Sequence, residues 1–190
     1  MLDSLIENGP DMLIELAIAT DADRERLENL LELYIHDFSE ILGSAPRENG
    51  RFGYDGLDAY WKEPGRFPFL IRADAQLAGF ALVARGSQVT GDATVLDVAE
   101  FFVVRGLRRH GLGMAAAARV FSSFAGTWEV RVMEQNAGAQ AFWERAVSSF
   151  TNGCFELCTW RSPRGRDFRV FRFVSPSIGG VQRVDAPTRG

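Results

Sequence analysis

Two cysteines, two histidines and one lysine, Lys62, are all that the 190 residues carry of these three types, and no Gly-Lys-Ser/Thr triplet occurs. Each shortage excludes something. Cys154 and Cys158 fall in an apolar run that reads as a strand, on one face and roughly 13 Å apart. They cannot pair with each other, and free thiols fit a reducing compartment. The missing triplet excludes the phosphate loop of nucleoside triphosphatases. No apolar run approaches the roughly eighteen residues that span a bilayer. The opening "MLDSLIENGP" carries acids where a secretory signal carries bases. A cytoplasmic protein without a membrane partner is expected. All but one of the 21 basic residues are arginine, and the net charge of −4 argues against bulk binding to nucleic acid. With no internal repeat, one domain is expected over residues 1–174, and the small, polar stretch 175–190 is expected to be a disordered tail.

What is present reads as alternating elements. "MLIELAIA" predicts a strand. Thr20 then opens "TDAD", a variant capping box, ahead of a helix whose Leu27, Leu30, Leu31, Tyr34, Ile35, Phe38, Ile41 and Leu42 form one buried stripe, read as core, up to Gly43. Residues 44–68 read as a long loop with a short helix near Leu57–Lys62. Its Phe52, Tyr54, Tyr60, Trp61 and Phe67 fit either an acceptor pocket or plain core. "FPFLIRA" and "LAGFALVA" predict a hairpin, and "ATVLDVAEFFVV" predicts a longer strand. A helix follows from Leu112, a strand over "TWEVRVM", and a helix from Asn136 to Val147. "FTNGCFELCTW" and "FRVFRFV" predict closing strands. Hairpins combined with two crossover helices predict a mixed sheet with helices packed on its faces, in the α/β (α+β) class.

The stretch "RGLRRHGLGMAAAARV" gathers Arg108, Arg109 and His110 ahead of Gly111 and Gly113, where the helix begins. Backbone N–H groups at a helix N-terminus lack partners and carry partial positive charge, and glycines allow close approach, so this turn suits a phosphorylated ligand. A connecting turn with solvated cations fits the same residues. "GLGMAA" also matches the relaxed dinucleotide fingerprint, with Glu134 downstream, which would mean a nicotinamide-dependent oxidoreductase. Against that, the turn follows an antiparallel hairpin, and only one further strand–helix unit comes after it.

"AEFFVVRGLRRHGLG" resembles the central motif of the GNAT superfamily of N-acetyltransferases, with Arg108, Gly111 and Gly113 at its defining positions. "NAGAQAFWER" resembles the second motif through Asn136, Ala139, Phe142, Trp143, Glu144 and Arg145. The resemblance implies a mostly antiparallel GNAT-like sheet and acetyl-CoA as co-substrate, with no metal. The pantetheine arm would lie along Phe101, Phe102 and Val103, and the pyrophosphate on Arg108, Arg109, His110, Gly111, Leu112, Gly113 and Met114. Asn136 would approach the pantetheine or adenosine, although it is also an excellent helix N-cap. The acceptor would be an amine on a small molecule or a peptide. The final strands could pair with another chain, giving a homodimer.

Acetyl transfer to an amine needs a base, stabilisation of the carbonyl oxygen and departure of a thiolate. Glu100 is the first choice of base. Alternation places it with Leu96, Val98, Phe102 and Val104, an apolar face that would raise its pKa. Asp97, on the opposite face, and Glu129 match carboxylates used by some relatives. A β-bulge, common in this family's central strand, would change these facings. Structural ion pairs explain any of the three acids equally. Many relatives carry Tyr where this chain has Trp143, and an indole N–H cannot protonate sulfur. That departure keeps open a catalytically silent acyl-CoA-binding module on the same fold.

Overall fold

The computed structural model describes residues 12–176. Strand β1 (Ile14–Ile18) leads to Thr20, whose backbone N–H and hydroxyl both donate to Asp23 Oδ2 in the expected capping box. One 3-10 turn, Asp21–Asp23, precedes helix α1 (Arg24–Leu42). Gly43 ends it in the left-handed region, at φ 63, with its N–H donating to the Ser39 carbonyl. After the four-residue α2 (Ala59–Lys62) come β2 (Arg66–Ala73) and β3 (Gln76–Arg85). Their two-residue turn has positive φ at both Asp74 and Ala75, as a tightly twisted hairpin requires. Then follow β4 (Leu96–Val103), α3 (Leu112–Ser122), β5 (Gly126–Met133), α4 (Ala137–Thr151), β6 (Glu156–Arg161) and β7 (Asp167–Ser175).

The strands form one sheet in the order β1-β2-β3-β4-β5-β7-β6. Every pairing is antiparallel except β4 with β5. Leu27, Leu30 and Leu31 of α1 cover one face through Leu70, Phe80, Leu82 and Phe102. Helices α3 and α4 cover the other face through Ala81, Val83, Leu96, Val98, Trp128 and Phe171. Burial of these two apolar layers, each side chain worth roughly 1.5–3 kcal/mol, holds the sheet between its helices.

Two sequence expectations shift at the end of the chain. "FTNGCFELCTW" is not one strand: α4 continues through Thr151, and Asn152 caps it at φ 53. The helical spacing from Val147 carries Phe150 onto Phe121 and Phe173, which outweighs its strand propensity. Cys154 therefore sits in the connection and Cys158 in β6; both are free and exposed. Ser175, assigned above to the tail, closes β7 and is buried. Residues 177–190 lie outside the described residues.

The central strand carries the decisive irregularity. Leu82 pairs with Glu100 while Val83 pairs with Val98, so Ala99 is an extra residue in β4. Before it, Leu96 and Val98 face α3 and α4; after it, Glu100 and Phe102 face α1. The facing deduced from strict alternation is thus wrong for half the strand. Glu100 keeps company with Phe102 and Val104, and not with Leu96 and Val98.

Candidate active site

β4 and β5 pair over only three residues, Leu96–Val98 with Trp128–Val130, and then part. Beyond the bulge, β4 therefore has β3 on one side and no strand on the other. Val104 donates to the Ala78 carbonyl, so ladder alternation turns the Phe101 and Val103 amides toward the open edge. A cavity of about 710 Å³ lies along that edge, reaching from Asn136, Gly138 and Arg145 on the α4 side to Tyr34, Phe38 and Ile41 on α1.

The glycine turn forms one wall. Arg109 and Gly111 are both left-handed, at φ 71 and 79, and α3 starts on Gly111 without a side-chain cap. A Cβ on Gly111 would meet nothing within 4 Å, so this glycine serves the backbone conformation. Gly113 serves packing: a Cβ there would lie 3.1 Å from the Phe142 ring. Of the predicted cofactor residues, Phe101, Phe102, Val103, Arg108, Arg109, Gly111, Gly113, Met114 and Asn136 line the cavity. His110 is exposed and does not line it. Leu112 is fully buried in the core, leaving only its backbone for any ligand. Asn136 caps α4, its Oδ1 accepting from Ala139 N at 3.0 Å, so the helix-cap role is real.

Arg108 does not reach out freely. Its Nε donates to the Val103 carbonyl at 2.7 Å, its Nη2 to Asp37 of α1 at 2.7 Å, and its guanidinium lies over the Phe102 ring at 5.4 Å. Asp37 also accepts from Arg105 Nε at 2.9 Å. An α1 carboxylate therefore occupies Arg105 and Arg108. Sequence reading missed this wall. Tyr34, Phe38 and Ile41 belong to the stripe read as core, but they line the cavity, and Leu42 is exposed. The one available signal was that the stripe runs past the buried Leu27–Leu31 turns with aromatics at i and i+4.

The three candidate carboxylates have different surroundings. Glu100 accepts from the hydroxyls of Tyr34 and Tyr54, the latter at 3.0 Å. Burial pushes its pKa above the ordinary glutamate value, and the two phenols pull it partly back. Burial also raises both phenols, with the Glu100 charge adding to it, so they stay protonated donors. Asp97 is buried in a two-pronged ion pair with Arg131, at 2.9 and 2.7 Å. Glu129 is fully buried and accepts from Ser87 Oγ and Arg172. Both of these acids are bound into ion pairs, unlike Glu100, and none of the three lines the cavity.

Of the loop aromatics, Tyr60 is buried under α1 with Leu57, Phe67 packs tilted on Phe124 with centroids 4.4 Å apart, and Phe52 lies half-buried against His36. Tyr54 alone of them reaches a candidate catalytic group. The loop is pinned to α1 by Glu32, which accepts from the backbone N–H of Phe52 and Gly53 at 2.7 and 3.0 Å. Trp143 is buried between Phe101 and Phe121, with ring centroids 5.1 and 6.0 Å away.

β4 and β5 thus part beside a helix N-terminus that has no side-chain cap, with the cavity along the open edge. Residues 27–147 match the Acetyltransferase (GNAT) family, and the chain belongs to it. An acetyltransferase from Thermus thermophilus has the same fold, with TM-score 0.63 and 18% identity over 85% of this chain and 97% of that one. The ribosomal-protein-S18-alanine N-acetyltransferase of Escherichia coli matches with TM-score 0.52 and 15% identity over 88% and 97%. The Vibrio cholerae spermidine N-acetyltransferase, in complex with CoA and spermine, matches with TM-score 0.57 and 11% identity over 85% and 95%. At these identities the likeness establishes the shared fold. No curated protein matches the chain. Among the described residues, no helix is long and apolar enough to cross a membrane, and no group of three metal-ligating side chains comes together.

Proposed function

We infer that this protein transfers acetyl from acetyl-CoA to an amine, on a small molecule or a peptide terminus. The observation that carries this is the open β4 edge beside α3: outward-facing amides at Phe101 and Val103 flank a cavity that ends on an uncapped helix N-terminus. Those groups fit the donor. The β4 amides match the amide-rich pantetheine arm, and the backbone around Gly111 with Arg108 and Arg109 matches a diphosphate. When bound, the donor supplies an activated thioester carbonyl. The chain's part is to hold that carbonyl at the β4 edge, present Glu100 as the proton acceptor and release Arg105 and Arg108 from Asp37. The spermidine and ribosomal-alanine enzymes that share the fold bracket the acceptor classes.

Calorimetric titration with acetyl-CoA, then an amine panel read by mass spectrometry, tests this. Micromolar binding with acetylated product is the expected result; no binding at high micromolar concentration removes the reading. Trp143 favours one rival, a binding module without turnover, because its buried indole offers no acid. Coenzyme A release with any amine, abolished in Glu100→Gln, sets that rival aside.

A further inference from the structure

We propose that Tyr34 is a second catalytic residue, its phenol relaying the proton of the acceptor amine to Glu100. This rests on the acetyl-transfer reading above. Tyr34 is the only tyrosine that lines the cavity, whereas Glu100 does not line it. The Tyr34 hydroxyl donates to Glu100 Oε2, and Tyr54 donates to Oε1. The Tyr34 side chain thus stands between the cavity and the carboxylate.

The phenol is held for this task. Its ring packs edge-on to Phe80 and Phe102, at 5.7 and 6.0 Å, and against Phe38 at 4.7 Å. Burial keeps it protonated, so it conducts a proton and does not store one. Storage falls to Glu100, whose desolvated carboxylate is more basic than an ordinary glutamate.

The step balances. The amine lone pair forms the N–C bond at the thioester carbonyl. The nitrogen's proton passes to the Tyr34 oxygen as the Tyr34 proton passes to Glu100. The C–S bond breaks, and its electron pair leaves with sulfur as thiolate. The proton on Glu100 returns through the same phenol to the thiolate, so α1 supplies the hydroxyl that Trp143 does not.

One readout needs no turnover. In the free protein, 13C NMR should follow the Glu100 carboxyl titrating above the ordinary glutamate range. Tyr34→Phe should move that midpoint further up, because the lost donor stabilised the carboxylate. An unmoved midpoint means no contact and overturns the relay while the transfer reading stands. In turnover, Tyr34→Phe and Glu100→Gln should each lower kcat by about 100-fold or more, with acetyl-CoA binding by calorimetry unchanged. The double variant should be no slower than either single one. Both should lose the ascending limb of the pH–rate profile. Tyr54→Phe, which removes the donor lying off the cavity, should keep that limb and displace it to higher pH. A folded Tyr34→Phe protein that keeps its rate and its limb overturns the relay alone. A wild type that binds acetyl-CoA but acetylates no amine overturns the transfer reading, and the relay with it.

Discussion

Asp37→Asn should tighten coenzyme A binding while it loosens the fold. Asp37 is an α1 carboxylate set on the phosphate turn: its side chain is 17% exposed and pairs with Arg105 and Arg108, which are 66% and 41% exposed. Under the proposed reading, a diphosphate takes over both guanidiniums and must displace Asp37 first. Exposed ion pairs are worth about 0.2–1 kcal/mol each, so two such pairs on one mostly buried carboxylate amount to about 1 kcal/mol. With tenfold in affinity per ~1.4 kcal/mol, neutralising Asp37 should lower Kd about three- to tenfold. The same loss should lower Tm by about 2–4 °C in a domain of this size. Isothermal titration with coenzyme A at two ionic strengths measures the first effect and thermal unfolding the second. The gain should shrink at high salt, where both competitors are screened. Weaker binding by Asp37→Asn would refute the reasoning, because it would mean that Asp37 holds the guanidiniums ready for the ligand instead of competing with it.

Gly111→Asp should weaken coenzyme A binding at least about tenfold, whereas Gly111→Asn should keep most of it. Both substitutions meet the same left-handed φ with no atom near the new Cβ, so they share the same backbone strain and calorimetry of the pair isolates the charge. Gly79→Ala should destabilise by about 3 kcal/mol or prevent folding, since its Cβ would lie 2.0 Å from the Phe102 carbonyl oxygen. Urea unfolding reads that loss, and a wild-type midpoint would contradict the close approach of β3 to β4. Glu100 has a folded pKa raised above the ordinary value of 4.5. Its favourable contribution is therefore complete below that value and is lost as pH rises through the raised one. The Tm of Glu100→Gln relative to wild type should climb across this window, and a difference that stays flat from acid to neutral pH would contradict the burial of the carboxylate.

Sequence patterning alone determined the elements and their order, because each rests on local information: the Thr20–Asp23 box, the Gly43 stop, the three-and-four spacing of α1 and the alternation of β2 and β3. It also located the glycine turn, since Gly111 must take a backbone conformation that side chains disfavour. The end of α4 was misread because Phe150 fits both the helical spacing from Val147 and the start of the apolar stretch that follows. Packing of Phe150 on Phe121 decided it. The candidate site was legible only along one wall. Whether Glu100 faces α1 or α4 depends on one extra residue at Ala99, and a bulge leaves no mark in composition. Tyr34 and Asp37 reach Glu100 and Arg108 across separations of 66 and 71 residues. A helix stripe states that those positions are inward, but not whether core or cavity lies opposite. Only the tertiary structure decided that, because β4 and β5 stop pairing after Val98 and leave the far half of the α1 stripe facing open space.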